Sequence, residues 1–150
     1  MFRKGFSLTE VIVTIAITML LVAVISSVFL SFDRYQALEG DTAKVTSVLE
    51  RARQLTLFSK EASQYGVHLE ASQVILFKGG TYSVGDQENV STSLHSKVLI
   101  SSYTLTGGGD DVVFDRLTGE TSQDGSITLQ SRIDTSKTKI INIEETGLIK

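Results

Sequence analysis

The chain has 150 residues, 14 of them basic and 17 acidic, for a formal net charge of −3. A balance this close to neutral gives no whole-chain footprint for nucleic acid. The absence of cysteine and proline excludes disulfide staples, thiolate metal sites and thiol nucleophiles, and leaves the turns to Gly, Asn, Asp and Ser.

A short basic leader, Arg3 and Lys4, runs into Gly5-Phe6-Ser7-Leu8-Thr9-Glu10. From Val11 to Phe32 there is then no charge and no glycine. That run of about 22 residues, at ~1.5 Å rise per residue, reaches across a hydrocarbon core of roughly 30 Å. Its polar members are Thr14, Thr18, Ser26, Ser27 and Ser31, whose hydroxyls can bond back to helix carbonyls. A secretory signal peptide would need a shorter apolar core and a small-residue cleavage site, and Val28 to Asp33 offers none. A plain single-pass anchor would have the same orientation, with Arg3 and Lys4 in the cytoplasm. It would leave Gly5, Phe6 and Glu10 without a role. A carboxylate at the edge of such a span costs on the order of 3 kcal/mol if it reaches the bilayer centre unpaired, so Glu10 asks for a cationic partner.

From Asp33 to about Ser59 the helix continues, now amphipathic. Leu38, Val45, Val48, Leu49, Ala52, Leu55 and Phe58 recur at helical spacing, and Glu39, Asp41, Lys44, Glu50, Arg51 and Arg53 fill the rest. Gly40 inside it costs about 1 kcal/mol relative to Ala. This half belongs against a domain of its own chain.

After Lys60 the period changes to alternation. Tyr65, Val67 and Leu69 alternate with Gly66, His68 and Glu70, and Val74 to Phe77 completes a hairpin around Glu70-Ala71-Ser72-Gln73, which Tyr82 and Val84 extend. Gly85 to Ser96 reads as a polar surface loop. Val98, Ile100, Tyr103 and Leu105 form a strand region ended by Gly107-Gly108-Gly109, and Val112 to Phe114 another. Asp124-Gly125 signals a turn before Ile127 to Leu129; Ile140, Ile141 and Ile143 follow, then Gly147 before Leu148-Ile149. The expected architecture is α+β. A long N-terminal helix, transmembrane in its first half, packs on a C-terminal antiparallel β-sheet or small β-sandwich of roughly seven short strands.

Gly5-Phe6-Ser7-Leu8-Thr9-Glu10 followed by an apolar helix resembles the class III leader of type IV pilins and pseudopilins. The resemblance implies a leader at 1–5, a helix at 6–60 (transmembrane about 11–32, amphipathic about 33–60) and a β-rich head at 61–150. It implies cleavage by a prepilin peptidase after Gly5, N-methylation of Phe6, and Glu10 as the acid that pairs with the terminal amine of a neighbouring subunit. The partners implied are that peptidase, other pilin or pseudopilin subunits, an inner-membrane assembly platform and the membrane itself. The implied location is the cytoplasmic membrane, head outside, and then a pilus or pseudopilus. Many major pilins of the family carry a proline within the span; this chain has none. Phe114, Gly119, Ile127-Thr128-Leu129, Ile141-Asn142-Ile143 and Gly147-Leu148-Ile149 are similar to the C-terminal pattern of GspH/FimT-type minor pseudopilins and minor pilins.

Other chemistry is weakly signalled. His68 and His95 fall in different elements and read as a polar-face residue and a solvated loop residue. Asp110, Asp111, Asp115 and Asp124 could gather around calcium, but no regular calcium loop is present and turn roles account for them. Gly107-Gly108-Gly109 lacks the Lys-Ser/Thr of a phosphate loop, and no serine sits in a nucleophile elbow. The expectation is a structural subunit with no enzyme activity, cofactor or metal. One alternative is a DNA-uptake minor pilin, with Lys137 and Lys139 as its DNA contacts beside Arg132 and Lys150, offset by Glu144 and Glu145. Another is an anchored binding domain that never polymerises.

Overall fold

The computed structural model describes the backbone of residues 7–150 and the side chains of 7–25 and 36–150. Arg3, Lys4, Gly5 and Phe6 lie outside the described residues, as do the hydroxyls of Ser26, Ser27 and Ser31. The chain divides into two units, 1–35 and 36–150. One α-helix, α1 (Leu8–Leu57), supplies the first and opens the second.

In the first unit the helix follows from composition: no residue between Val11 and Phe32 is a helix breaker. Thr14 Oγ1 donates to the Val11 carbonyl at 2.9 Å and Thr18 Oγ1 to the Thr14 carbonyl at 2.7 Å, so both hydroxyls are satisfied within the helix. Leu8–Ile25 has a mean hydropathy of 2.6, and none of it is buried by the rest of the chain.

In the second unit the buried face of α1 is Leu38, Asp41, Val45, Leu49, Ala52 and Thr56, a helical stripe that includes two polar residues. Asp41 was expected on the charged outer face and is instead 1% exposed. Phe58 was expected on the apolar face; the helix ends one residue before it, and Phe58 is 81% exposed. Thr56 explains the stop. Its hydroxyl donates to the Ala52 carbonyl at 2.9 Å and accepts from the Tyr65 N–H at 2.9 Å, which ties the first strand to the last turn of the helix. Between them a 3-10 turn, Lys60–Ala62, reverses the chain without glycine; Ser59, Glu61 and Ala62 take left-handed φ of 46°, 54° and 54°.

Seven strands follow: β1 (Tyr65–Glu70), β2 (Gln73–Lys78), β3 (Val90–Ser93), β4 (Val98–Leu105), β5 (Asp111–Phe114), β6 (Gly125–Ser131) and β7 (Thr138–Ile143). They form two antiparallel sheets, one in the order β3-β2-β1-β5 and one in the order β4-β6-β7. The β1–β2 hairpin closes with Glu70 opposite Gln73, as the alternation predicts. Val67, Leu69, Val74, Leu76, Val112 and Phe114 of the first sheet share one core with Ile100, Ile127, Leu129, Ile141 and Ile143 of the second and with Val45, Leu49 and Ala52 of α1.

Three expectations in this half are corrected. Tyr82 and Val84 do not extend the hairpin. Residues 79–89 cross the outer face of the first sheet instead, where the Tyr82 ring stacks on His68 with centroids 4.0 Å apart and meets Phe77 edge-on at 5.8 Å. Ile75 and Phe77 are buried on that outer face. The polar run Gly85–Ser96 contains a strand, β3, held by its backbone to β2 with Leu76 opposite Val90. Gly125 is not a turn residue but the first residue of β6, paired with both Leu105 and Ile143. A Cβ there would stand 1.9 Å from the Thr104 carbonyl oxygen, so close strand approach demands the glycine.

Candidate functional site

The N-terminal segment carries the sequence-predicted assembly site, and of its named residues Glu10 is described. The Ser7 carbonyl accepts the Glu10 N–H at 3.1 Å and the Val11 N–H at 3.2 Å, so Ser7 is the residue from which α1 starts. Its hydroxyl lies 2.8 Å from Thr9 Oγ1. Ser7 and Glu10 have the spacing of a capping box, a signal legible in Ser7-Leu8-Thr9-Glu10 but absent from the expectations above. Glu10 also lies in the first turn, where unsatisfied N–H groups and the helix dipole favour a negative charge. Its carboxylate therefore stands at the boundary between a helix N-terminus and an exposed apolar surface that runs through Ile25.

The basic residues proposed for DNA do not form one patch. Arg132, Lys137 and Lys139 meet at one end of the second sheet: the Arg132 N–H donates to the Lys97 carbonyl at 2.8 Å, and the Ser131 N–H to the Lys137 carbonyl at 3.0 Å. Lys137 is exposed. The Lys139 ammonium is 2.5 Å from Glu39 Oε1, and Arg132 Nε donates to the Val98 carbonyl at 3.3 Å. Lys150 is elsewhere. Its backbone pairs with Asn142 and its ammonium with Glu144 at 2.5 Å.

The acids read as calcium candidates are also dispersed. Asp110 accepts from the Tyr103 hydroxyl at 2.6 Å, Asp111 sits 2.6 Å from His68 Nδ1, and Asp115 accepts from Gln64 Nε2 at 3.2 Å. Among the described residues no three His, Cys, Asp or Glu side chains gather as a metal site. The Asp110 carboxylate pushes the Tyr103 phenol above its ordinary pKa, because it bonds the neutral hydroxyl and repels the phenolate; partial burial adds to this. His68 is more enclosed than a polar-face residue, with Asp111 on Nδ1, Glu70 3.9 Å from Nε2 and Tyr82 over the ring. This arrangement fastens residues 79–89 to the sheet. His95 is exposed, and its backbone N–H donates to the buried Asp41.

A further ion cluster joins the 3-10 turn to the sheet. The Lys78 ammonium contacts Glu61 and lies 3.1 Å from Glu88. The Lys78 hydrogen bond holds the Glu61 carboxyl below the usual range, and both glutamates raise Lys78.

Residues 1–26 match the family described as the prokaryotic N-terminal methylation motif. No curated protein sequence matches the chain. Among solved structures, the minor pseudopilin EpsH from the type 2 secretion system of Vibrio cholerae is similar at 11% identity, with a TM-score of 0.57, covering 75% of this chain and 94% of that one. The type IV minor pilin FimU of Pseudomonas aeruginosa (strain PAO1) is similar at 10% identity, with a TM-score of 0.56, covering 75% of this chain and 90% of that one. Both are named as pilin-type subunits. The chain thus joins an N-terminal methylation motif to a fold similar to those of a minor pseudopilin and a minor pilin.

Proposed function

We propose that this chain is a minor subunit of a type IV pilus or of a type II secretion-like filament. A prepilin peptidase cuts after Gly5, Phe6 becomes the N-methylated terminus, and α1 holds the subunit in the cytoplasmic membrane with the β head outside. An assembly platform then moves it into a filament whose centre is a bundle of such helices. The observation that carries the reading is Leu8–Ile25: eighteen helical residues with one charge, Glu10, and no part of them covered by the chain. Apolar surface on this scale needs lipid or like helices around it. Within a bundle, Glu10 would neutralise the Phe6 amine of an adjacent subunit. A charge satisfied in only one stagger sets register as well as attraction.

The test is mass spectrometry of the protein from cells with and without a prepilin peptidase. With the peptidase, the mature chain begins at methylated Phe6; the substitution Gly5→Val leaves the precursor uncut. A chain that keeps Met1 through Gly5 in cells with active peptidase would overturn the reading and leave an anchored head.

A further inference from the structure

The two edges of the four-stranded sheet are treated differently. At the β5 edge, Val113 N–H donates to Gln123 Oε1 at 3.1 Å and the Thr121 hydroxyl donates to the Val113 carbonyl at 2.8 Å. The Asp115 N–H donates to the Glu120 carbonyl. Residues 115–123 thus cover that edge, as folded proteins commonly do with an unpaired strand. At the β3 edge the register decides which groups point outward. The Leu94 N–H donates to the Ser72 carbonyl, which makes that pair a hydrogen-bonded rung. Rungs alternate in an antiparallel ladder, so Thr92 and Val90 bond inward to β2. The N–H and C=O groups of Ser91 and Ser93 turn outward, and none has a partner among the described residues.

The helix flanks this edge. Asp41 holds the His95 N–H at one end, and Arg51 and Leu55 share a cavity of about 220 Å³ with Val90 at the other. Leu76 and Phe77 also line it, and Val90 is 46% exposed. The charges around it are unbalanced. Glu61 and Glu88 are both engaged by Lys78, whereas Arg51 has no carboxylate partner among the described residues and Lys60 stands on the same rim.

We propose that the β3 edge docks an extended segment of another polypeptide, which adds as a fifth strand beside β3. One of its apolar side chains enters the cavity over Leu55 and Val90, and a carboxylate next to it meets Arg51 and Lys60. The outward rungs of Ser91 and Ser93 require an extended backbone, because only that presents N–H and C=O at the matching two-residue spacing. The cationic rim requires an acid. This proposal does not rest on the filament reading, which stands or falls on processing at Gly5.

The test uses the full-length chain in detergent micelles and a synthetic probe, acetyl-Thr-Val-Thr-Val-Thr-Glu, followed by residue-resolved amide hydrogen exchange. Binding slows exchange at Ser91 and Ser93 and leaves the β5 amides unchanged. Ser91→Pro removes an outward donor and no inward one, and weakens the probe about tenfold. Arg51→Glu weakens it about fivefold, and a probe ending in Lys recovers the loss. If Ser91→Pro disturbs the circular dichroism spectrum, Arg51→Glu with the charge-swapped probe decides. The proposal is overturned if the probe protects neither serine up to millimolar concentration, or if binding survives both substitutions.

Discussion

Asp41 Oδ2 accepts the His95 backbone N–H at 2.6 Å, a bond that joins α1 to the segment between β3 and β4 across 54 residues of chain. The second oxygen of the same carboxylate takes the Lys44 ammonium at 2.7 Å. A carboxylate 1% exposed is tolerated because both its oxygens are engaged. Asp41→Ala leaves the His95 N–H without its acceptor and is expected to cost about 1.5–3 kcal/mol, the range for hydrogen bonds to charged groups. Asp41→Asn keeps a carbonyl acceptor and should lose less. Urea midpoints of the full-length protein check both; equal losses in the two variants would mean that the negative charge, which both remove, and not the acceptor alone, holds the segment.

Two glycines, one read from the sequence as a cost inside a helix and one as a turn residue, carry opposite expectations. Gly40 has no atom within 4 Å of where a Cβ would stand. Gly40→Ala should therefore raise stability by up to ~1 kcal/mol through helix propensity alone. Gly125 combines a φ of 153° with a Cβ position 1.9 Å from the Thr104 oxygen. Gly125→Ala has to separate β4 from β6 and should cost about 3 kcal/mol or more. Thermal unfolding of the pair checks the signs, and a stabilised Gly125→Ala would contradict the β4–β6 register.

Those glycines mark the limit of what the sequence discloses. Elements with strong periodicity were legible: the apolar helix, the buried stripe at Leu38, Val45, Leu49 and Ala52, and the β1–β2 hairpin. β3 was hidden because Val90-Ser91-Thr92-Ser93 has a single large apolar residue, and its pairing is a backbone matter that side chains do not advertise. Asp41 looked like an outer-face charge because its acceptor role depends on a residue 54 positions away. Phe58 fitted the helical period, but helix termination at Leu57 is decided by Thr56 and Tyr65, a tertiary contact. Tyr82 alternated correctly for a strand and is used for stacking on His68. At the candidate site, the Glu10 position and the apolar span were legible. Ser7 and Glu10 have the spacing of a capping box, while the Ser7 hydroxyl meets Thr9 Oγ1.

The Tyr103 hydroxyl and the Asp110 carboxylate make stability sensitive to alkali. The folded-state pKa of Tyr103 lies above the ordinary phenol value near 10, through its hydrogen bond to Asp110. A group with a raised folded pKa contributes stability that is fully present below the unfolded pKa and is lost as pH rises through the folded one. Wild-type stability should therefore fall from about pH 10 upward. Asp110→Asn should make this fall shallower and bring the Tyr103 phenolate absorbance transition to lower pH. Tyr103→Phe, measured beside it, identifies the transition among the four tyrosines. An unchanged alkaline slope in Asp110→Asn would show that the pair is not closed in solution.

Glu10 has two physical roles on offer, and one substitution separates them. As the N3 residue of a capping box it needs a side-chain acceptor, which Gln supplies as well as Glu. As the partner of a neighbouring Phe6 amine it needs a negative charge, which Gln lacks. Glu10→Gln should thus leave α1 helical and inserted in the membrane, with head stability unchanged. Incorporation into filaments should drop by roughly a hundredfold to a few thousandfold, because an amine left unpaired in an apolar bundle costs about 3–5 kcal/mol. Glu10→Ala, which removes both roles, should assemble no better than Glu10→Gln while fraying the first helical turn. The measurements are circular dichroism in micelles, membrane fractionation, and immunodetection in sheared filaments. If Glu10→Gln assembles like the wild type and Glu10→Ala does not, the side chain serves the helix start and the charge pair has no part in assembly.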